Sequence, residues 1–208
     1  MNFFSYDGPV SKFLNIFADL CILNICFLIC CLPIFTIGAS ATALYSVCLK
    51  MSRGEEWSIL PTFFKAFKQN FKQATKIWIP CLFMLIIAVS NIILLFTNSI
   101  FIGGRFLIAA AGSLLILLLH MLLMVFPVLA KFSNTTPNTV KNAYLMGLAN
   151  LPWLILIAAL NILPPVFTVL LPIRFSYVYL FWLIFGFSTV AFIASFVFEN
   201  KIFPKYIE

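Results

Sequence analysis

The stretch PIFTIGASATALYSVCLK (residues 33–50), MSRGEEWS (51–58) and ILPTFFKAFKQNFKQATK (59–76) decides the architecture. Its first part carries no charge before Lys50 and is rich in small residues. The second is a tight polar turn. The third has helical periodicity with two contrasting faces. Leu60, Phe63, Phe64, Phe67 and Phe71 recur at intervals of three and four, and so, on the opposite face, do Lys65, Lys68, Lys72 and Lys76. Ser58 is placed to cap this helix, and Pro61 falls in its first turn, where a missing N–H costs little. Such a helix is expected to lie in a membrane interface, phenylalanines down and lysines up.

Composition agrees. Of 208 residues, 63% are hydrophobic and only 9% charged, and mean hydropathy is +1.12. A water-soluble fold could not cover that much apolar surface with so few charges, whereas lipid can. The 25 phenylalanines run through the whole chain, which excludes a soluble domain on a single anchor. The net charge of +7 could point to nucleic acid, but the cations cluster between apolar runs, the pattern of membrane topology. Nucleic acid is therefore not expected as a partner.

Taken in order, residues 1–10 form an aromatic lead-in ended by Asp7-Gly8-Pro9. Spans are expected at about 13–32, 34–50, 77–96, 106–129, 151–171 and 177–198, with amphipathic helices at about 58–76 and 136–149. The first apolar region is too long for a signal peptide. Asp19 is the only charge between residues 13 and 49, and one helix of that length would run roughly 55 Å, so a hairpin turning near Pro33 fits better. Pro33, Thr36, Gly38, Ala39 and Ser40 are candidates for close helix packing, since small side chains let backbones approach. Thr97-Asn98 and Gly103-Gly104 mark a turn, and Pro164-Pro165 marks a kink. Thr136 is a candidate cap, and Pro61, Lys65 and Trp78 are faintly echoed by Pro137, Lys141 and Trp153. The fold class is thus an all-α polytopic transmembrane bundle.

Basic residues give the orientation. With six spans, eleven lysines and arginines fall on the side of the 50–76 loop, against Arg105 and Arg174 on the other. With residues 33–49 outside the bilayer core, the five-span division is ten against three. Either count makes the 50–76 loop cytoplasmic, and six spans make both termini cytoplasmic.

Little in the chain resembles catalysis. Asp19 is the only acid within a span and shares a face with Lys12 and Asn15, which makes an aqueous edge, a Lys12 pair or an ion site the readings to weigh. His120 stands alone in its span, where a core hydrogen bond is expected. Asn91, Asn98 and Asn161 are candidates to bridge helices. Glu55 and Glu56 are adjacent and point apart. The six cysteines lie in apolar sequence and read as small hydrophobes, although Cys26 and Cys30 share a face. No nucleotide loop, nucleophile elbow or zinc motif is present. Neither a cofactor nor an enzymatic activity is implied.

The run from Leu32-Pro33-Ile34-Phe35-Thr36-Ile37-Gly38-Ala39-Ser40 to Thr42-Ala43-Leu44-Tyr45, with FKAFKQNFKQA at 64–74, resembles the YesL family of small bacterial membrane proteins. Members are often encoded beside sugar ABC importers and their two-component regulators. The resemblance therefore implies a bacterial plasma-membrane location and an accessory or regulatory role in carbohydrate import. Permease subunits or a membrane sensor are then the expected partners, beside lipid. It carries over no catalytic residue, and the 65–76 helix lacks the Glu-Ala-Ala start and spaced glycine of a permease coupling helix. The alternative is an independent transporter or channel, working as an oligomer with a path past Asn15, Asp19 and Pro164-Pro165. A lipid-modifying enzyme ranks last, and oligomeric state is not legible.

Overall fold

The structure, a computed structural model, describes residues 9–56, 58–97, 102–170 and 177–206. All regular elements among them are helical: α1 (Pro9–Cys31), α2 (Ile37–Ser52), α3 (Ile59–Thr97), α4 (Ile102–Lys131), α5 (Thr136–Ala149), α6 (Leu151–Leu170), α7 (Tyr177–Phe181) and α8 (Phe187–Val197). Six helical segments among the described residues are long and apolar enough to cross a membrane. Large apolar side chains stand exposed along them, with Phe13 at 69%, Phe83 at 63% and Phe167 at 65%. Lipid is the solvent that tolerates such a surface. The fold is an all-α polytopic bundle.

The first hairpin turns at Pro33. Helix α1 stops at Cys31, Pro33 precedes a single 3-10 turn (Ile34–Thr36), and α2 starts at Ile37. The Thr36 hydroxyl donates to the Cys30 carbonyl oxygen at 2.5 Å, satisfying one of the carbonyls α1 leaves open at its end. At its other end α2 closes with Gly54 at φ +68°. The Gly54 N–H bonds the Met51 carbonyl and the Glu55 N–H bonds the Lys50 carbonyl, the paired bonds of a Schellman cap.

Helix α2 is the centre of the bundle. Eleven of its 16 residues are buried, and α1, α3, α4 and α8 pack around it. It runs beside the basic half of α3, not the apolar half. The Trp78 indole N–H reaches the Ile34 carbonyl at 2.7 Å. A Cβ on Gly38 would lie 2.8 Å from Trp78 Cβ and 3.1 Å from the Ala74 carbonyl oxygen. So the α2 start is level with Trp78, and the Pro33 turn meets α3 near its midpoint.

Several boundaries differ from the sequence reading. The expected helices at 58–76 and 77–96 are one 39-residue helix, α3. Polarity changes at Lys76–Ile77, but nothing there breaks the backbone, and Pro80 is carried inside the helix. At 1.5 Å per residue α3 is roughly 58 Å long, about twice a hydrocarbon core. Of the residues expected to mark a turn, Thr97 belongs to α3, Gly103 and Gly104 belong to α4, and Asn98 lies outside the described residues. Most of the aromatic lead-in is likewise outside them, as is Arg174, while Pro9 already begins α1. Helix α6 runs through Pro164 and Pro165 without ending.

The last span does not stop at 198. A π-helical segment (Trp182–Gly186) lies within it, and a second one (Phe198–Ile202) and a 3-10 turn (Phe203–Tyr206) extend it. Phe198, Ile202 and Phe203 are fully buried, so side chains beyond the expected end of the span belong to the core. The echo between residues 61–78 and 137–153 is not a structural repeat. Pro61 and Trp78 share α3, whereas Asn150, at φ −127° and ψ 41°, breaks the chain between Pro137 and Trp153.

Candidate functional site

The basic half of α3 shows two faces, but the aromatic face does not lie on lipid. Phe63 is fully buried, Ala66 and Ala74 are buried, and Phe67 and Phe71 pack partly buried against the core. Phe63 and Phe67 stack at 6.4 Å between centroids, and Phe67 and Phe71 stand at 5.5 Å. Leu60 and Phe64 turn outward, at 49% and 44% exposure. The expectation of a helix lying phenylalanine-down in the interface is therefore corrected: the helix uses those rings to hold α2 and its neighbours. Gln73 fixes the side of the same helix by donating to the Asn134 carbonyl at 2.9 Å and Thr139 Oγ1 at 3.1 Å.

Lys65, Lys68, Lys72 and Lys76 all stand on the outer face. The ion pairs Arg53–Glu55, Arg53–Glu199 and Lys131–Glu199 involve none of these four lysines. Four unneutralised ammonium groups at three- and four-residue spacing repel one another, a cost a helix does not need for its own stability.

Beside this face, α2, α3 and α4 enclose a cleft of about 450 Å³. Lys50 and Arg53 enter it from the end of α2, Lys65 from α3 and Lys131 from the last turn of α4. Ser46, Thr62, Gln69 and Asn70 add neutral polar groups to its wall, which contains no acidic residue. Arg53 and Lys131 are held by Glu199, a side chain only 9% exposed, with Arg53 Nη1–Oε1 at 2.5 Å and Lys131 Nζ–Oε2 at 2.9 Å. Arg53 also bonds Glu55. That bond holds the guanidinium charged more firmly and draws the Glu55 carboxyl below its usual range.

Other residues singled out in the sequence fall elsewhere. Gly38, Ala39, Ser40 and Thr36 are buried where α2 meets its neighbours, and Pro33 is exposed at the turn. Asn15 is exposed and Asp19 half-buried on α1. His120 meets the Tyr144 carbonyl at 3.2 Å, with its ring 5.1 Å from that of Tyr144, and presses on Gly147, where a Cβ would stand 2.5 Å from Nε2. These groups do not converge with the cationic cleft. Asn161 donates to the Ile157 carbonyl of its own helix and also hydrogen-bonds the Tyr45 side chain of α2, bridging the two helices as expected, while Asn91 is exposed. Thr136 is the first residue of α5, not its cap; Thr135 holds that position. Among the described residues, no three His, Cys, Asp or Glu side chains gather as metal ligands.

Three connections escaped sequence reasoning. Asn24 is fully buried and joins α1 to the last span; Glu199 joins that span to α2 and α4; Asn150 accepts from Lys205 Nζ at 2.7 Å and donates to the Tyr206 hydroxyl. Asn24 and Asn150 were visible only as lone polar residues amid apolar neighbours, and Glu199 only as the start of a short polar run (Glu199-Asn200-Lys201), signals that a partner exists without naming it.

No curated protein and no solved structure matches the chain. Residues 20–92, which run from the middle of α1 through α2 and most of α3 and so include the four lysines and most of the cleft's wall, match a family model described as "Protein of unknown function, DUF624".

Proposed function

We propose that this chain is a non-enzymatic accessory or regulatory subunit of a carbohydrate ABC importer in a bacterial plasma membrane, docking through Lys65, Lys68, Lys72 and Lys76. The observation that carries the docking is the outer lysine face itself. It lies on a helix whose opposite face is buried, so its orientation is set by the core. Rigid cationic arrays steer acidic partners and fix their register. The importer assignment is supported by the resemblance of residues 32–45 and 64–74 to the YesL family, within the segment that the family model matches. The excess of basic residues near this face supports a cytoplasmic position.

The test is a mild-detergent pull-down of the tagged chain from its native membrane, with mass spectrometry of the co-purifying proteins. Importer subunits in fixed proportion are expected, and lost when the four lysines become glutamate although the spans remain inserted. Recovery of the chain alone, or partner retention by the glutamate variant, would overturn the proposal.

A further inference from the structure

We propose that the cleft between α2, α3 and α4 is a binding site for a phosphomonoester, either a soluble organic phosphate or the headgroup of an anionic lipid. This goes beyond docking, because Lys50, Arg53 and Lys131 lie off the outer lysine face and line a concave space.

Charge supports the assignment. Four cations face the cleft, and the acids that reach any of them are Glu199, shared by Arg53 and Lys131, and Glu55, on Arg53. Neither acid lines the wall. Four positive charges against two negative leave a surplus of two, matching a phosphomonoester, which carries roughly −1.5 to −2 near pH 7 and three strong acceptor oxygens. A concave wall of one sign also concentrates field and counter-ion.

Geometry supports it as well. Glu199 is nearly buried and holds Arg53 and Lys131 in fixed positions, so half of the cationic set is organised before any ligand arrives. Lys50 and Lys65 enter none of the ion pairs of the described residues and remain available. Thr62 and Gln69 add neutral donors. Cations at the ends of α2 and α4 also complement helix dipoles. Lys65, in the second turn of α3, has no such role and is accounted for by the cleft. A volume of about 450 Å³ exceeds a bare phosphate and leaves room for the group that carries it.

The test uses the full chain in phosphatidylcholine nanodiscs. One arm titrates glycerol 3-phosphate by calorimetry with glycerol as control; the other adds phosphatidic acid to the nanodiscs and counts retained lipid by native mass spectrometry. Saturable binding is expected in one arm, which identifies the source. It should weaken about tenfold or more in Lys50→Gln/Lys65→Gln and change less than about twofold in Lys68→Gln/Lys72→Gln, whose lysines are outside the cleft. Should the first variant fail to fold, acetylation of the unaltered protein replaces it: the bound phosphate is expected to slow modification of Lys50 and leave Lys68 unaffected. Binding in neither arm, equal weakening in both variants, or an unprotected Lys50 overturns the proposal. Loss of importer docking with phosphate binding intact would bear on the docking face alone.

Discussion

Asn24 and Ser188, 164 residues apart, are locked together across α1 and the last span. Asn24 Oδ1 accepts the Ser188 N–H at 3.0 Å, while Asn24 Nδ2 donates to the carbonyls of Trp182 at 3.0 Å and Leu183 at 2.8 Å. Ser188 Oγ answers by donating to the Leu20 carbonyl at 2.7 Å. Trp182 and Leu183 open the π-helical segment, where the ordinary helical ladder is interrupted. One buried amide thus satisfies backbone groups that lipid could not.

Asn24→Leu should accordingly be among the more harmful single changes in α1. It leaves two carbonyls and an N–H without their partner, at about 1–3 kcal/mol for each buried group that stays unsatisfied. Ser188→Ala keeps the N–H bond and should cost only about 1 kcal/mol. Thermal unfolding in one detergent compares them. Equal melting temperatures for the two variants would show that the π-segment finds other partners.

Gly38 is the second sensitive point. A methyl group there would meet Trp78 Cβ at 2.8 Å and the Ala74 carbonyl, both part of the α3 helix wall and unable to swing aside. Gly38→Ala should push α2 from α3, costing about 1–3 kcal/mol by overpacking. A methyl group added at Gly112 would have nothing within 4 Å, and Gly112→Ala should be neutral or slightly stabilising. Melting temperatures of the pair in detergent make the comparison, and an unchanged value for Gly38→Ala would contradict the close helix contact.

Arg53 and Glu55 give a pH dependence with a definite sign. The Arg53 hydrogen bond lowers the Glu55 pKa in the folded chain, so the pair stabilises the fold above the ordinary glutamate value of about 4.3 and loses that contribution as the pH falls further. Glu55 is nearly half exposed, so the contribution is at most about 1 kcal/mol. Between pH 7 and 3.5 the melting temperature of the parent should fall further than that of Glu55→Gln. Parallel curves would remove the pair from the acid response.

The helical bundle and the lysine face were readable because both rest on periodicity, which the 3.6-residue turn imposes locally. The continuity of α3 was not, since the change from lysines to Ile77 and beyond resembles a boundary although no residue there interrupts hydrogen bonding. The cleft was hidden for another reason. Lys50, Arg53, Lys65 and Lys131 come from three helices, and Glu199, which arranges two of them, lies 68 residues beyond Lys131. Counting these cations as topology signals said nothing of their convergence. Asn24 was equally opaque, because a lone amide in an apolar run leaves its partner undetermined.

The neighbouring rings of Phe63 and Phe64 test which surface the aromatic face of α3 covers. Phe63 is fully buried and Phe64 is 44% exposed, although both belong to the same apolar stripe. Were the stripe laid on lipid, truncating either ring would have similar consequences for membrane association and little for the fold. With the stripe packed on the protein core, Phe63→Ala opens a cavity at the α2–α3 contact and should cost about 3–5 kcal/mol. Phe64→Ala should stay within about 0.5 kcal/mol of the parent. Thermal unfolding in detergent, where no bilayer interface exists, separates the two cases. A deep drop for Phe63→Ala beside a parental value for Phe64→Ala is the expected result, and matching values for both variants would return the aromatic face to the lipid.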